Sequence, residues 1–131
     1  MRLSRLADYG VVVMCHMART PEDLHNTAEL AEATRLPLPT VKKLLKLLSR
    51  NGLLESRRGV NGGYLMARTA EQISLKDMLD AVEGPLVLAG CVDGSHEICD
   101  LEPTCHVAPR WNIVNDTIER VLSRVLLSEM M

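Results

Sequence analysis

No stretch of the 131-residue sequence approaches the roughly 18 consecutive apolar residues that a membrane-spanning helix requires, so no helical membrane span is expected. No segment combines low hydrophobicity with high charge, the composition of disorder. With 47% hydrophobic and 24% charged residues, the chain has the balance of an ordinary globular protein. The opening Met1-Arg2-Leu3-Ser4-Arg5 leads into a helical pattern without a small-residue cleavage site, which points to the cytoplasm. Paired carboxylates, a nucleophile with its base and a nucleotide-binding loop are all missing outside one cysteine-bearing segment. Gly59 to Gly63 is glycine-rich but lacks the Lys and Ser/Thr of a phosphate loop, so an enzyme is not expected. The paired C-x2-C spacing usual in zinc sites is absent as well.

What is present is an uneven distribution of charge. The formal net charge is -2, yet between Arg35 and Arg68 lie eight basic residues and a single acid, Glu55, a local balance of +7 against -9 for the remainder. A basic segment inside an acidic chain attracts a polyanion locally while the rest of the surface repels it. Hydrophobic spacing predicts a first helix over 4–19, then a short one capped by Asn26 and ending near Thr34. A third runs from Leu38 to Arg50, with Val41, Leu44, Leu45 and Leu48 on its apolar face and Lys43, Lys46 and Arg50 opposite. Two short helices around a tight turn, the second with a cationic face, have the layout of a helix-turn-helix.

A strand over 53–58, a glycine-rich turn and a return strand at Tyr64-Leu65-Met66 follow, with Asn61-Gly62 as the hairpin signal; this reads as a wing. Ser74 and Asp77 open a further helix that stops at Gly84-Pro85. From Pro109 a long helix carries Trp111, Val114, Ile118, Val121 and Val125 in 3-4 alternation, widened by Leu122 and Leu126, the stripe expected of a two-fold dimer seam. The fold class expected is therefore mainly α with a small β-hairpin: a winged helix-turn-helix at 1–84, a cysteine loop at 85–108 and a dimerisation helix at 109–131.

Two constellations carry chemistry. Thr40, Lys42 and Lys43 near the start of the third helix are placed for base edges of double-stranded DNA, Lys46 and Arg50 for phosphates, and Arg57 or Arg58 in the hairpin for a minor groove. Gly62, Gly63 and Tyr64 complete this set. The plainer alternative is that the cations form only the solvated face of an amphipathic helix. Cys91, Cys99 and Cys105 stand in a C-x7-C-x5-C pattern within an aperiodic stretch, whereas Cys15 fits a helix as a small buried hydrophobe. Reduced cytoplasmic thiols disfavour a disulfide framework. Three thiolates without a fourth suit an iron–sulfur cluster with one non-cysteine ligand; zinc and a bare thiol redox switch stay open.

The chain resembles the winged-helix iron–sulfur regulators that include IscR, NsrR and RirA, the Rrf2-type family. The resemblance lies in Met1-Arg2-Leu3-Ser4, Asn51-Gly52-Leu53, Arg58-Gly59 with Gly62-Gly63-Tyr64, Leu79-Asp80-Ala81-Val82-Glu83-Gly84, the three cysteines and Trp111. It implies a homodimer on a palindromic operator, a 2Fe-2S or 4Fe-4S cluster on Cys91, Cys99 and Cys105, the third helix in the major groove, and the wing with Arg58 in the minor groove. The likeness is strongest to regulators of SUF cluster-assembly genes. In IscR-like members a histidine three residues after the last cysteine completes the site; here that place is Ala108, and His106 is the nearest histidine. In nitric-oxide-sensing members an aspartate of the first helix serves, and Asp8 matches it. The fourth ligand is thus open between Asp8 and His106, with His96 and Glu97 behind them. Lys42 and Lys43 replace an acidic-amide pair, so the operator sequence does not carry over. A nitric-oxide or redox-responsive regulator of the same fold, or a zinc-binding adaptor whose basic helix binds an acidic protein, are the alternatives.

Overall fold

The computed structural model describes residues 2–131; Met1 of the opening motif lies outside the described residues. The elements are α1 (Arg5–Ala18), α2 (Thr27–Thr34), α3 (Leu38–Arg50), β1 (Leu54–Arg57), β2 (Gly63–Met66), α4 (Leu75–Glu83), a single 3-10 turn (Glu102–Thr104), α5 (Ala108–Arg124) and α6 (Leu127–Met130). The architecture is the expected one, mostly helical with one antiparallel hairpin, and it is that of a winged helix.

Local chemistry sets most of the boundaries. Ser4 caps α1 by accepting the Ala7 N–H at 3.1 Å, and Asn26 caps α2 by accepting from Glu29 at 2.8 Å. Ser74 and Asp77 form a reciprocal capping box at the start of α4, each side chain accepting the other's backbone N–H at 3.0 and 2.9 Å. Pro39 sits in the first turn of α3, where its missing N–H costs nothing, and Gly52 takes a left-handed φ of 77° just beyond its end.

The core lies where α1, α3 and α4 meet. The chain has no phenylalanine, so flexible aliphatic side chains fill it: Met14, Met17, Leu30, Leu44, Leu45, Leu48, Ile73 and Met78 are all fully buried. Each such side chain contributes about 1.5–3 kcal/mol by leaving water. Gly10 lets α1 settle close to its neighbours, since a Cβ there would come within 2.9 Å of a Val82 methyl and 3.4 Å of one from Leu44.

Two local expectations need correction. The wing does not turn on Asn61-Gly62: β1 ends at Arg57 and β2 begins at Gly63, which leaves residues 58–62 as a longer connection. Its left-handed glycines are Gly59 (φ 111°) and Gly63 (φ 156°), and Gly62 donates its N–H to the Gly59 carbonyl at 3.0 Å. The long C-terminal helix is also shorter than its apolar period. It stops at Arg124, Val125 is extended, and the Leu75 N–H donates to the Val125 carbonyl at 2.7 Å. The Leu127 N–H then donates to Ile73 at 2.8 Å and the Leu127 side chain is fully buried in the core, so the last residues fold back onto the winged helix.

Candidate functional site

The cationic face of α3 follows from its amphipathicity. Val41, Leu44, Leu45 and Leu48 are buried, and that forces Lys42, Lys43, Lys46 and Arg50 outward, where all four are exposed. Among the described residues none of the four forms an ion pair, so their charge faces solvent. Thr40 is half-buried, which leaves it less reach than the lysines beside it. Arg35 closes α2 in a left-handed conformation (φ 58°), unusual for a residue with a Cβ, and presents another exposed cation at the turn between the two helices.

The wing separates its two arginines. Arg57 lies on β1 and pairs with Glu55 at 3.2 Å, whereas Arg58 is the first residue beyond the strand, exposed and unpaired among the described residues. Arg58 is thus the free guanidinium of the two. Arg68, counted with the basic segment, is exposed but engaged: it lies 3.8 Å from Asp77 and donates to the Gln72 carbonyl. Gly62 and Gly63 serve backbone packing. A Cβ at Gly63 would fall 2.4 Å from the His25 carbonyl oxygen, and one at Gly62 would fall 2.4 Å from that of Arg57. The close approach at Gly63 permits two reciprocal 2.8 Å hydrogen bonds between Tyr64 and His25, which tie the wing to the entrance of α2. His25 is itself held by Thr20 at 3.0 Å and meets His16 edge-on. Tyr64 is half-buried against the core, a supporting place. The wing tip carries Val60, fully exposed.

The cysteine segment is built differently. Cys91, Cys99 and Cys105 are free thiols, each half-buried. The position of a Cβ on Gly90 lies 3.6 Å from the Cys99 Cβ, which places the backbone next to Cys91 alongside Cys99; Cys105 follows the 3-10 turn. Among the described residues no group of three or more His, Cys, Asp and Glu side chains is gathered closely enough to hold a metal ion. Asp8 is exposed in the first turn of α1, and His106, His96 and Glu97 are exposed in the segment, so none of them completes a ligand set with the cysteines in this conformation. Cys15 stands apart on α1: burial pushes its thiol above the ordinary value of 9.0, against an opposing pull from Arg19, and it donates to the Met130 carbonyl at 3.5 Å.

Sequence reasoning missed the residues that attach this segment. Asn115 is 4% exposed; it accepts from the Leu88 N–H at 3.0 Å and donates to the Leu86 carbonyl at 2.9 Å. Asn112, one turn earlier, accepts from the Asp93 N–H at 2.9 Å. The only sequence signal is the Asn-x-x-Asn spacing, which sets two amides on one helix face. Lys76 of α4 was likewise overlooked. It bonds Asp80 at 2.5 Å and reaches Glu119 of α5 at 3.9 Å, and the bond to Asp80 raises its pKa above the ordinary lysine value, against partial desolvation. The apolar stripe of α5 is split: Ile118 and Leu122 are half-buried and line the cleft toward α4, whereas Trp111, Val114 and Val121 remain 40%, 41% and 55% exposed.

Comparison with known proteins agrees with this geometry. The family profile described as "Rrf2: Iron-dependent Transcriptional regulator" matches residues 3–131. Protein aau3 of Rhizobium meliloti (strain 1021) is 32% identical over 105 residues, which cover 80% of this chain and 68% of that protein. Among solved structures, IscR of T. potens superposes with a TM-score of 0.72 at 27% identity, covering 99% of this chain and 85% of the other. CymR, the global cysteine regulator of B. subtilis, superposes at 0.76 with 23% identity over 99% of this chain and 95% of its own; that likeness shows the fold alone. No helix among the described residues is long and apolar enough to cross a membrane. With a helix-turn-helix, a wing and a family profile spanning all three regions, the chain belongs to the Rrf2 family of DNA-binding transcriptional regulators, whose members are not enzymes.

Proposed function

We propose that the protein is a cytoplasmic homodimeric regulator that binds a palindromic operator and senses iron–sulfur cluster status through Cys91, Cys99 and Cys105, controlling cluster-assembly genes of the SUF type. The observation that carries this reading is the donor set: three free, half-buried thiols on one irregular segment attached to the C-terminal helix of a chain whose family profile is iron-dependent. Thiolates are the ligands that iron–sulfur clusters take, and the absence of a fourth cysteine in the segment leaves the last position to an oxygen or nitrogen donor, Asp8 or His106. The residues fit such a group in kind, and the segment must close to gather them. Bound there, a 2Fe-2S or 4Fe-4S cluster supplies an oxidant-sensitive crosslink among the three thiolates.

On the DNA side, Lys42 and Lys43 reach base edges with Thr40 behind them, Lys46 and Arg50 hold phosphates, and Arg58 enters the minor groove. The exposed Trp111, Val114 and Val121 of α5 form the two-fold seam that sets the separation of the two reading helices.

Protein purified without oxygen is expected to be brown, to hold iron at cluster stoichiometry with little zinc, and to bind a promoter fragment with an affinity that depends on that iron. Cys99→Ala should lose the colour and the iron dependence together. Unchanged iron content and unchanged operator affinity in Cys99→Ala would sink the proposal. Because no three ligands are gathered in this conformation, a thiol redox or nitric-oxide switch on the same cysteines is the second reading. It predicts colourless, metal-free protein whose DNA affinity follows oxidant or nitric oxide.

A further inference from the structure

We propose that Asn112 and Asn115 are positioning residues that lock Cys91 onto α5, making it the most firmly held thiol of the three, while Cys99 and Cys105 lie on a stretch held by local bonds. The inference rests on reading the three cysteines as one ligand or sensor set. Asn115 offers a donor and an acceptor in one plane, matched to the Leu86 carbonyl at 2.9 Å and the Leu88 N–H at 3.0 Å. The Leu88 N–H can only donate, which fixes the amide oxygen on its side. An aspartate at this place would leave the Leu86 carbonyl without its donor, and an apolar residue would leave both backbone groups unpaired at a buried site, the costly direction of change.

Asn112 adds a single bond, accepting from the Asp93 N–H at 2.9 Å, and Val92 is 5% exposed. Cys91 therefore sits inside a stretch held at 86, 88 and 93 and plugged at 92. Beyond it the character changes. Among the described residues, every hydrogen bond made by 96–106 is to a near neighbour in the chain, and Ile98 and Leu101 are 92% and 70% exposed. Backbone held only by local bonds, with no buried apolar contact, opens most readily.

Cys99 already packs beside Gly90, so gathering the three thiols must chiefly bring Cys105 to them. The reaction to that pull passes through the clamp into α5, and from α5 through the Lys76–Glu119 contact to the winged helix. The two amides then set how strongly a change at the cysteines is felt by the DNA-reading half.

The test uses the full chain, reduced and metal-free, with alkylation by iodoacetamide followed site by site by mass spectrometry and Cys15 as an internal control. Asn115→Ala is expected to raise the rate at Cys91 about tenfold and Asn112→Ala about threefold, as the lost hydrogen bonds free the stretch, with Cys99, Cys105 and Cys15 changing less than about twofold. Equal acceleration at all cysteines, or none at Cys91, overturns the proposal. If Asn115→Ala does not fold, Asn112→Ala decides by the same criterion. The readout needs no metal: a rise selective for Cys91 in a protein that never holds iron leaves the clamp standing and removes the cluster reading, whereas full iron binding without that selectivity does the reverse.

Discussion

The winged helix and the cysteine segment of this chain are held in shape by different forces. In the former, α1, α3 and α4 bury a continuous set of aliphatic side chains, three helices start on side-chain caps, and the wing is stitched to the entrance of α2 by reciprocal backbone bonds. Between 86 and 107, by contrast, only Val92 is buried, and the fold depends on amides reaching across from α5. A surface that must match the fixed geometry of a DNA groove benefits from rigidity. A segment that must register a ligand has to have another conformation within reach, and that requires low local stability. The proposed division, DNA reading by one region and sensing by the other, is consistent with this difference.

The largest effect is expected where the reading half meets DNA. Replacing Lys43 and Lys46 together by Ala removes two exposed cations without touching the buried face of α3. Operator affinity should fall about tenfold to a hundredfold, the slope of log affinity against log salt should decrease by about one for the Lys46 phosphate contact, and loss of Lys43 should relax discrimination among operator sequences. The fold should be unaffected, and so should alkylation of the three segment cysteines. An unchanged salt slope would mean that these lysines are only a solvated face, and the reading surface would have to be sought elsewhere.

A smaller but sharper effect concerns the wing. In Gly63→Ala the new methyl would lie 2.4 Å from the His25 carbonyl, at a φ of 156°. The strand must detach from His25 or strain must be absorbed, at a cost of about 2–3 kcal/mol. Thermal unfolding should show a lower midpoint and the promoter complex should weaken, while site-resolved alkylation of Cys91, Cys99 and Cys105 stays as it was. If those cysteines also become more reactive, the two regions are not separable.

The same contrast explains how far the sequence was legible. Capped and periodic elements were readable because their determinants are local: Asn26, the Ser74 and Asp77 pair, and the apolar face of α3 each fix an element within a few residues. The cationic face was readable for the same reason. What escaped was set by distant partners. Val125 and Leu126 keep the helical period but leave the helix, because Leu75 and Ile73 offer backbone partners there. Asn61-Gly62 looks like a tight turn, yet Gly63 is drawn to His25 and the connection lengthens. Arg68 counts as a cation for DNA until Asp77 and Gln72 claim it. In the cysteine segment the donor residues were evident from their spacing, but the amides that hold it lie some 19 to 29 positions away along the chain. No local pattern announces such a pairing.

The smallest effect is expected at Cys15, where one residue type meets the other of the two environments. Its thiol lies on α1, packed against the core with the Met130 carbonyl as acceptor, and burial raises its pKa above the ordinary value of 9.0. The sign of the linkage follows. As pH rises past the ordinary value, the unfolded chain ionises at this residue before the folded chain does. The stability contributed by the neutral thiol is therefore present below pH 9 and is lost as the pH climbs toward the folded-state pKa. Denaturant midpoints at pH 8 and pH 10 should differ slightly less in Cys15→Ala than in the parent protein, and Arg19 beside the thiol keeps that difference small. Iron content and the response of DNA binding to iron should not change at all. A Cys15→Ala protein that lost iron would place α1 within the ligand set and erase the boundary between a rigid reading half and a pliable sensing segment. One that kept any iron of the parent while losing the excess pH dependence would leave Cys15 a buried thiol of the core, outside the proposed ligand set.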